Sequence, residues 1–103
     1  MISVLVQFMP QNKLPWQEVA SRFKASVPHY RNIPRMVRKY YTLGDDGACG
    51  GIYLFKTRSE AEAFFTEAWK EEMQARFGDR PRVTFYDSPV IIDNAAGEVY
   101  SEV

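Results

Sequence analysis

The apolar positions along the chain define its elements. In "ISVLVQF" (2 to 8), Ile2, Val4, Val6 and Phe8 share one parity and Leu5 takes the other, a strand with loose alternation. The turn "MPQNKLP" follows, with Pro15 suited to the first position of a helix. Trp16, Val19, Ala20, Phe23 and Val27 then recur at helical spacing. Pro28 biases the residue before it away from helical geometry, so this helix is expected to end at Val27. "PHYRNIP" (28 to 34) reads as a loop. "RMVRKYYTL" (35 to 43) and "CGGIYLF" (49 to 55) read as strands joined by the turn residues "GDDGA", a hairpin. "TRSEAEAFFTEAWKEEMQARFG" predicts one long helix with Ala61, Phe64, Phe65, Ala68, Trp69 and Met73 on its apolar stripe. Thr57 and Glu60 form a capping box, with Ser59 and Glu62 as a shifted alternative, and Gly78 and Pro81 stop the helix. "RVTFYDSPVII" (82 to 92) is a last strand with a bulge at Pro89. Residues 94 to 103 form a C-terminal tail with little pattern and room for a short edge strand.

The order β-α-β-β-α-β over residues 1 to 103 is that of a single α+β domain of ferredoxin-like type. Right-handed crossovers put both helices on one face of a four-stranded antiparallel sheet. A solvated second face would show clean alternation, but Leu5, Val37, Tyr41, Leu43, Ile52 and Leu54 sit on the parity opposite their apolar neighbours. Both faces therefore read as buried. Four strands about 5 Å apart and about 20 Å long present roughly 400 Å², near the limit for an apolar patch on a soluble monomer. A homodimer packed sheet against sheet is the expectation.

Composition narrows the classes. Residues 1 to 43 carry seven Lys/Arg and one acid, and residues 44 to 103 carry six Lys/Arg and twelve acids, so a net charge of zero hides two halves of opposite sign. Either the halves neutralise each other in the fold, or Arg31, Arg35, Arg38 and Lys39 gather at an opening that attracts an anion. No net basic face suggests nucleic acid. No apolar run approaches the length of a membrane span. The single Cys49 excludes an internal disulfide framework and suggests a reducing, cytoplasmic setting and a passive thiol. There is no phosphate-binding glycine loop, dinucleotide fingerprint, zinc-protease motif or nucleophile elbow. One histidine does not build a His-rich metal site.

The hairpin raises the question of chemistry, because it places three phenols, Tyr40, Tyr41 and Tyr53, where valines would serve. The stretch "NIPRMVRKYYTLGDDGACGGIYLFKTRSEAEAFF" (32 to 65) resembles the dimeric α+β barrel proteins of the antibiotic-biosynthesis mono-oxygenase superfamily, above all their YdhR-type mono-oxygenases. The "IP" entry into an aromatic and basic strand, "GGIYLF", the "TRSEA" opening of the second helix and the terminal "SPVI" carry the resemblance. Where the family often has glycine after "IP", this chain has Arg35. The resemblance implies a homodimer with one cavity per subunit between sheet and helices. It also implies oxidation of a phenolic, aromatic or quinone-like molecule by dioxygen without metal, flavin or other cofactor. A non-catalytic or stress-associated homodimer that binds a hydrophobic small molecule is the alternative.

Candidate site residues follow. If Leu43 pairs with Gly50, Tyr40 lies opposite Tyr53 and shares its face with Arg38, two phenols and a guanidinium suited to a flat substrate and its oxygens. A one-residue slip would bring Tyr41 opposite Tyr53 instead, and ordinary core tyrosines with wet tips satisfy the same pattern. His29, the one side chain of a type that titrates near neutrality when unperturbed, is the candidate base for a phenolic proton, or else a helix-end histidine meeting terminal carbonyls. Asn32 is a candidate for orienting a substrate oxygen or dioxygen, or a turn former. Phe65 and Trp69 face the sheet from the second helix, as a cavity cap or as core.

Overall fold

The computed structural model describes residues 1–103. Its elements run β1 (Ile2–Phe8), α1 (Trp16–Tyr30), β2 (Met36–Leu43), β3 (Cys49–Phe55), α2 (Arg58–Phe64), α3 (Glu67–Phe77), β4 (Arg82–Asp87), β5 (Val90–Asp93) and β6 (Glu98–Ser101). The first four strands of the α+β core form an antiparallel sheet in the order β2-β3-β1-β4. This is the ferredoxin-like order, with the most apolar strand at the centre. Val4, Val6 and Phe55 are fully buried, and Ile2, Phe8, Tyr53, Ala61 and Phe65 close around them.

Three element boundaries depart from the sequence expectation. First, α1 does not end at Val27 but continues through Pro28 to Tyr30, and the Arg31 N–H still bonds the Val27 carbonyl at 2.9 Å. The extra turn brings Tyr30 over the sheet, where its ring meets Tyr41 and Tyr53. Second, the long helix is two helices. Phe65, buried, leaves helical geometry (φ −88°, ψ 62°), and Thr66 starts α3 by accepting from the Trp69 N–H at 3.1 Å. The cap at Thr57 forms as expected, accepting from the Glu60 N–H at 3.2 Å. Third, the strand expected over 82 to 92 breaks at Ser88 and Pro89. Its second half, β5, pairs with β6 from the tail in a separate two-stranded hairpin rather than extending the sheet. That hairpin is tied back at its base by Ser88 N–H to the Met1 carbonyl (2.9 Å) and by the amino terminus to Glu102 (2.7 Å).

The helical layer sits loosely on the sheet. Of α1 only Val19 is buried, and α3 buries no residue completely. The opposite face of the sheet carries Leu5, Tyr40, Ile52, Leu54 and Tyr86 with no helix over it. Tyr40, Ile52 and Tyr86 are 53%, 41% and 51% exposed in the single chain. The expectation that both faces are covered is therefore not met by the chain on its own. No helix is long and apolar enough to cross a membrane.

Candidate functional site

The register of β2 on β3 decides which side chains meet. Leu43 pairs with Cys49, one residue from the expected partner, so Tyr40 lies opposite Ile52 and Lys39 opposite Tyr53. The register shifts between Met36 and Arg38, which leaves Val37 as an extra residue in β2. Such a bulge changes which parity faces inward from that point on. Met36 therefore points to the helices, Arg38 and Tyr40 point away, and Lys39, Tyr41 and Leu43 point back in. The proposed pairing of Tyr40 with Tyr53 on one face is thereby corrected. The inward phenol on β2 is Tyr41.

Between α1, the inner sheet face and the end of α3 lies a cavity of about 580 Å³. Its floor is Val6, Phe8, Cys49 and Tyr53, its far wall Val19, Phe23 and Tyr30, and its end Met73 and Phe77. Glycine at 51 makes room for the side chains of Tyr53 and Lys39. A Cβ there would come within 3.0 Å of the Tyr53 ring and 3.4 Å of Lys39 Cε. The mouth is framed by the β1–α1 loop and the β2–β3 turn. Met9 N–H bonds the Asp79 carboxylate at 2.7 Å, Gln11 N–H bonds the Phe77 carbonyl at 2.9 Å, and Gly47 closes the turn at φ 90°.

Lys39 is the polar centre of this cavity. Its Nζ lies 3.1 Å from the ring centroid of Tyr30, 4.0 Å from that of Tyr41 and 4.8 Å from that of Tyr53. No carboxylate lies within ion-pairing distance of it. Burial without a counter-ion pulls its pKa down to about 7. The ring faces act the other way, since their quadrupoles favour the ammonium, so amine and ammonium coexist near neutrality. Burial pushes the Tyr53 phenol up, and neighbouring Tyr30 adds to this. Tyr30 is raised too, chiefly by burial, with Tyr53 pulling it partly back. Ser26 Oγ stands 2.8 Å from the Phe23 carbonyl and 2.9 Å from Tyr41 Oη. A serine has one proton and a carbonyl only accepts, so the serine donates to the carbonyl and accepts from the phenol.

The residues singled out from sequence fall into three places. Tyr53 lines the cavity. Phe65 and Trp69 pack beside it as core, with ring centroids 4.9 Å apart for Tyr53 and Phe65 and 5.1 Å for Phe65 and Trp69. Arg38 and Tyr40 are on the outer face. There the Arg38 guanidinium reaches Asp93 of the hairpin at 3.2 Å and Tyr40 Oη at 3.4 Å, engaged away from the cavity. His29 and Asn32 are exposed beyond the cavity, with the His29 ring standing edge-on to Tyr30 at 5.0 Å. His29 therefore does not line the space among the phenols.

Sequence reasoning missed Lys39, Tyr30 and Tyr41 as a unit. One signal was present: Lys39 shares its parity with Tyr41 and Leu43. Beside Arg38, however, Lys39 reads as one of a group of basic side chains at an opening rather than as an inward amine. Cys49 is buried and its thiol is pushed up by burial, away from the thiolate range of reactive cysteines. No group of three or more His, Cys, Asp or Glu side chains is placed to hold a metal ion. No protein-family model and no curated protein matches this chain.

Proposed function

We propose that this chain is a small-molecule enzyme that takes a proton from a phenolic aromatic in the cavity between α1 and the sheet. The resulting phenolate then reacts with dioxygen, without a cofactor, in the manner implied by the mono-oxygenase resemblance. For a methylene flanked by two aromatic rings, one dioxygen converts the methylene to a ketone and releases one water. One oxygen atom is kept in the product, and both methylene hydrogens leave in the water. The observation that carries the reading is Lys39, a half-buried amine with no ion-pair partner, set among the three phenol rings that help line the cavity. A base is most effective when its pKa is near the working pH, and burial brings this one to about 7. Taking a proton from a phenol of ordinary pKa near 10 is then uphill by about 4 kcal/mol. The ammonium–phenolate contact formed in the cavity offsets part of that cost. Lys39 thus replaces His29 as the base, and Tyr30 and Tyr41 join Tyr53, in place of Tyr40 and Arg38, as the groups that stack on and orient the ring.

Oxygen uptake with a panel of hydroxyanthracene-type phenols tests this. Wild type and His29→Ala are expected to turn over alike, and Lys39→Met to lose about 100-fold or more, the usual worth of a general base. Absence of uptake by wild type overturns the oxygenase reading, and undiminished uptake by Lys39→Met overturns the base. Saturable binding without turnover is the second reading. It is favoured by the width of the mouth, where the exposed Asp45 and Asp46 join the lining, since reactive intermediates call for exclusion of water.

The same reading includes a homodimer. The outer face, with Leu5, Tyr40, Ile52, Leu54 and Tyr86, supports a second copy packed sheet to sheet. Sedimentation is expected to show a dimer at micromolar concentration that Leu54→Glu converts to monomer, and a monomeric wild type overturns this part. A cytoplasmic setting is supported by the unpaired thiol of Cys49.

A further inference from the structure

The chemistry at Lys39 extends beyond taking up a proton. Its stem rises from the inward face of β2 opposite Tyr53, beside the space left by Gly51, and its Nζ ends among three phenol rings. A methionine of similar length would fill this position with no polar atom to desolvate, so the amine lowers stability where it sits. The charged groups around the cavity do not compensate for it. Lys13 of the β1–α1 loop, Arg22 of α1 and Arg76 of α3 add positive charge, and the two arginines each pair with a glutamate on their own helix, at 3.1 Å and 3.4 Å. Asp45 and Asp46 stand at the mouth, outside ion-pairing range of Lys39. Tyr30 and Tyr53 stay protonated, because burial raises both phenols. An amine held this way keeps its lone pair available, and lysines desolvated in apolar pockets are the ones that form Schiff bases.

We propose that Lys39 captures a carbonyl: its Nζ adds to a flat, conjugated aldehyde or ketone lodged between the phenol rings and forms an imine. The nitrogen lone pair makes the C–N bond as the carbonyl π pair moves to oxygen, which takes a proton from nitrogen. The carbinolamine then loses its hydroxyl with the second amine proton as water. Amine and carbonyl thus give one imine and one water, with no change in oxidation state. The cavity of about 580 Å³ falls within the ordinary size range of small-molecule sites, and its phenol faces suit offset stacking on a conjugated carbonyl. This step needs no dioxygen, so it stands or falls separately from the oxygenase reading.

The test is residue-resolved trapping. The full chain is treated at neutral pH with 2-hydroxy-1-naphthaldehyde and borohydride, digested, and the adduct at each lysine quantified by mass spectrometry. Lys24, Lys56 and Lys70, which lie outside the cavity, serve as internal controls. Lys39 is expected to label roughly tenfold or more faster than any of them. About half its population is neutral near pH 7, against about one in 10³ for an ordinary lysine, and lower basicity gives back part of that gain. Excess 2-naphthol, which fits the cavity but carries no carbonyl, is expected to slow Lys39 alone. Labelling of Lys39 no faster than Lys24, Lys56 and Lys70, or 2-naphthol leaving the Lys39 rate unchanged, overturns the proposal. Because wild type carries its own controls, the result does not depend on whether a Lys39 variant folds.

Discussion

Replacing Lys39 by methionine should make the protein more stable, and by an amount that depends on pH in a defined sense. The folded chain holds this amine at a pKa of about 7, against 10.5 for an ordinary lysine. A group whose proton is bound more weakly in the fold than in the unfolded chain costs stability wherever the unfolded chain keeps that proton. The cost is therefore largest below about pH 7, declines as pH rises from 7, and is gone above about 10.5. In full the displacement corresponds to roughly 5 kcal/mol, of which about 2.7 kcal/mol would return between about pH 6 and pH 9. The side chain still reaches water in part, and the rings of Tyr30 and Tyr41 favour its charged form, so about 1–2 kcal/mol is expected over that interval. The assay is urea unfolding of wild type and Lys39→Met at half-unit steps of pH, read as the difference between the two. Cys49, Tyr30 and Tyr53 lose stability with rising pH, since burial holds their protons while the unfolded chain releases them. That loss is common to both proteins and cancels. The wild type should trail the variant most at about pH 6 and close the gap as pH rises. A difference that stays flat from about pH 6 to pH 9 would show an ordinary solvated lysine and remove the basis for both the proposed base and the imine.

Two further outcomes test the fold around the site. Arg35 sits at φ 64°, a left-handed conformation that a non-glycine residue holds at a cost of about 1–2 kcal/mol. Arg35→Gly relieves this and gives back part in chain entropy, so the urea midpoint should rise by the equivalent of roughly 0.5–1 kcal/mol. Thr66→Ala removes the only side-chain acceptor for the Trp69 N–H at the start of α3, and should cost about 1 kcal/mol in the same assay, with faster amide exchange in the first turn of α3.

The order of elements and the layers they form were legible along the chain. Each rests on a local periodicity: Ile2, Val4, Val6 and Phe8 at every second position, and Val19 and Phe23 one helical turn apart. The Thr57 cap and the glycine stop at Gly78, which takes φ 83°, were equally local and form as read. The break at Phe65 was not legible, because a continuous apolar stripe passes through it. A buried aromatic wedged against Tyr53 and Trp69 interrupts a helix that propensity alone would continue.

The site itself was decided in three dimensions. A single extra residue at Val37 reverses the facing of everything after it in β2, turning Arg38 and Tyr40 out and Lys39 and Tyr41 in. No periodicity within β2 shows this, since both of its parities carry apolar side chains and the register depends on hydrogen bonds to another strand. The same holds for Lys39, whose charge in sequence is that of any lysine. Its lowered pKa arises only when α1, carried one turn past Pro28, lays Tyr30 over its amine while Gly51 leaves the space into which it points. Sequence determined the layers because hydrophobic spacing is a local property. Tertiary structure determined the chemistry because desolvation depends on which distant residues close around a group.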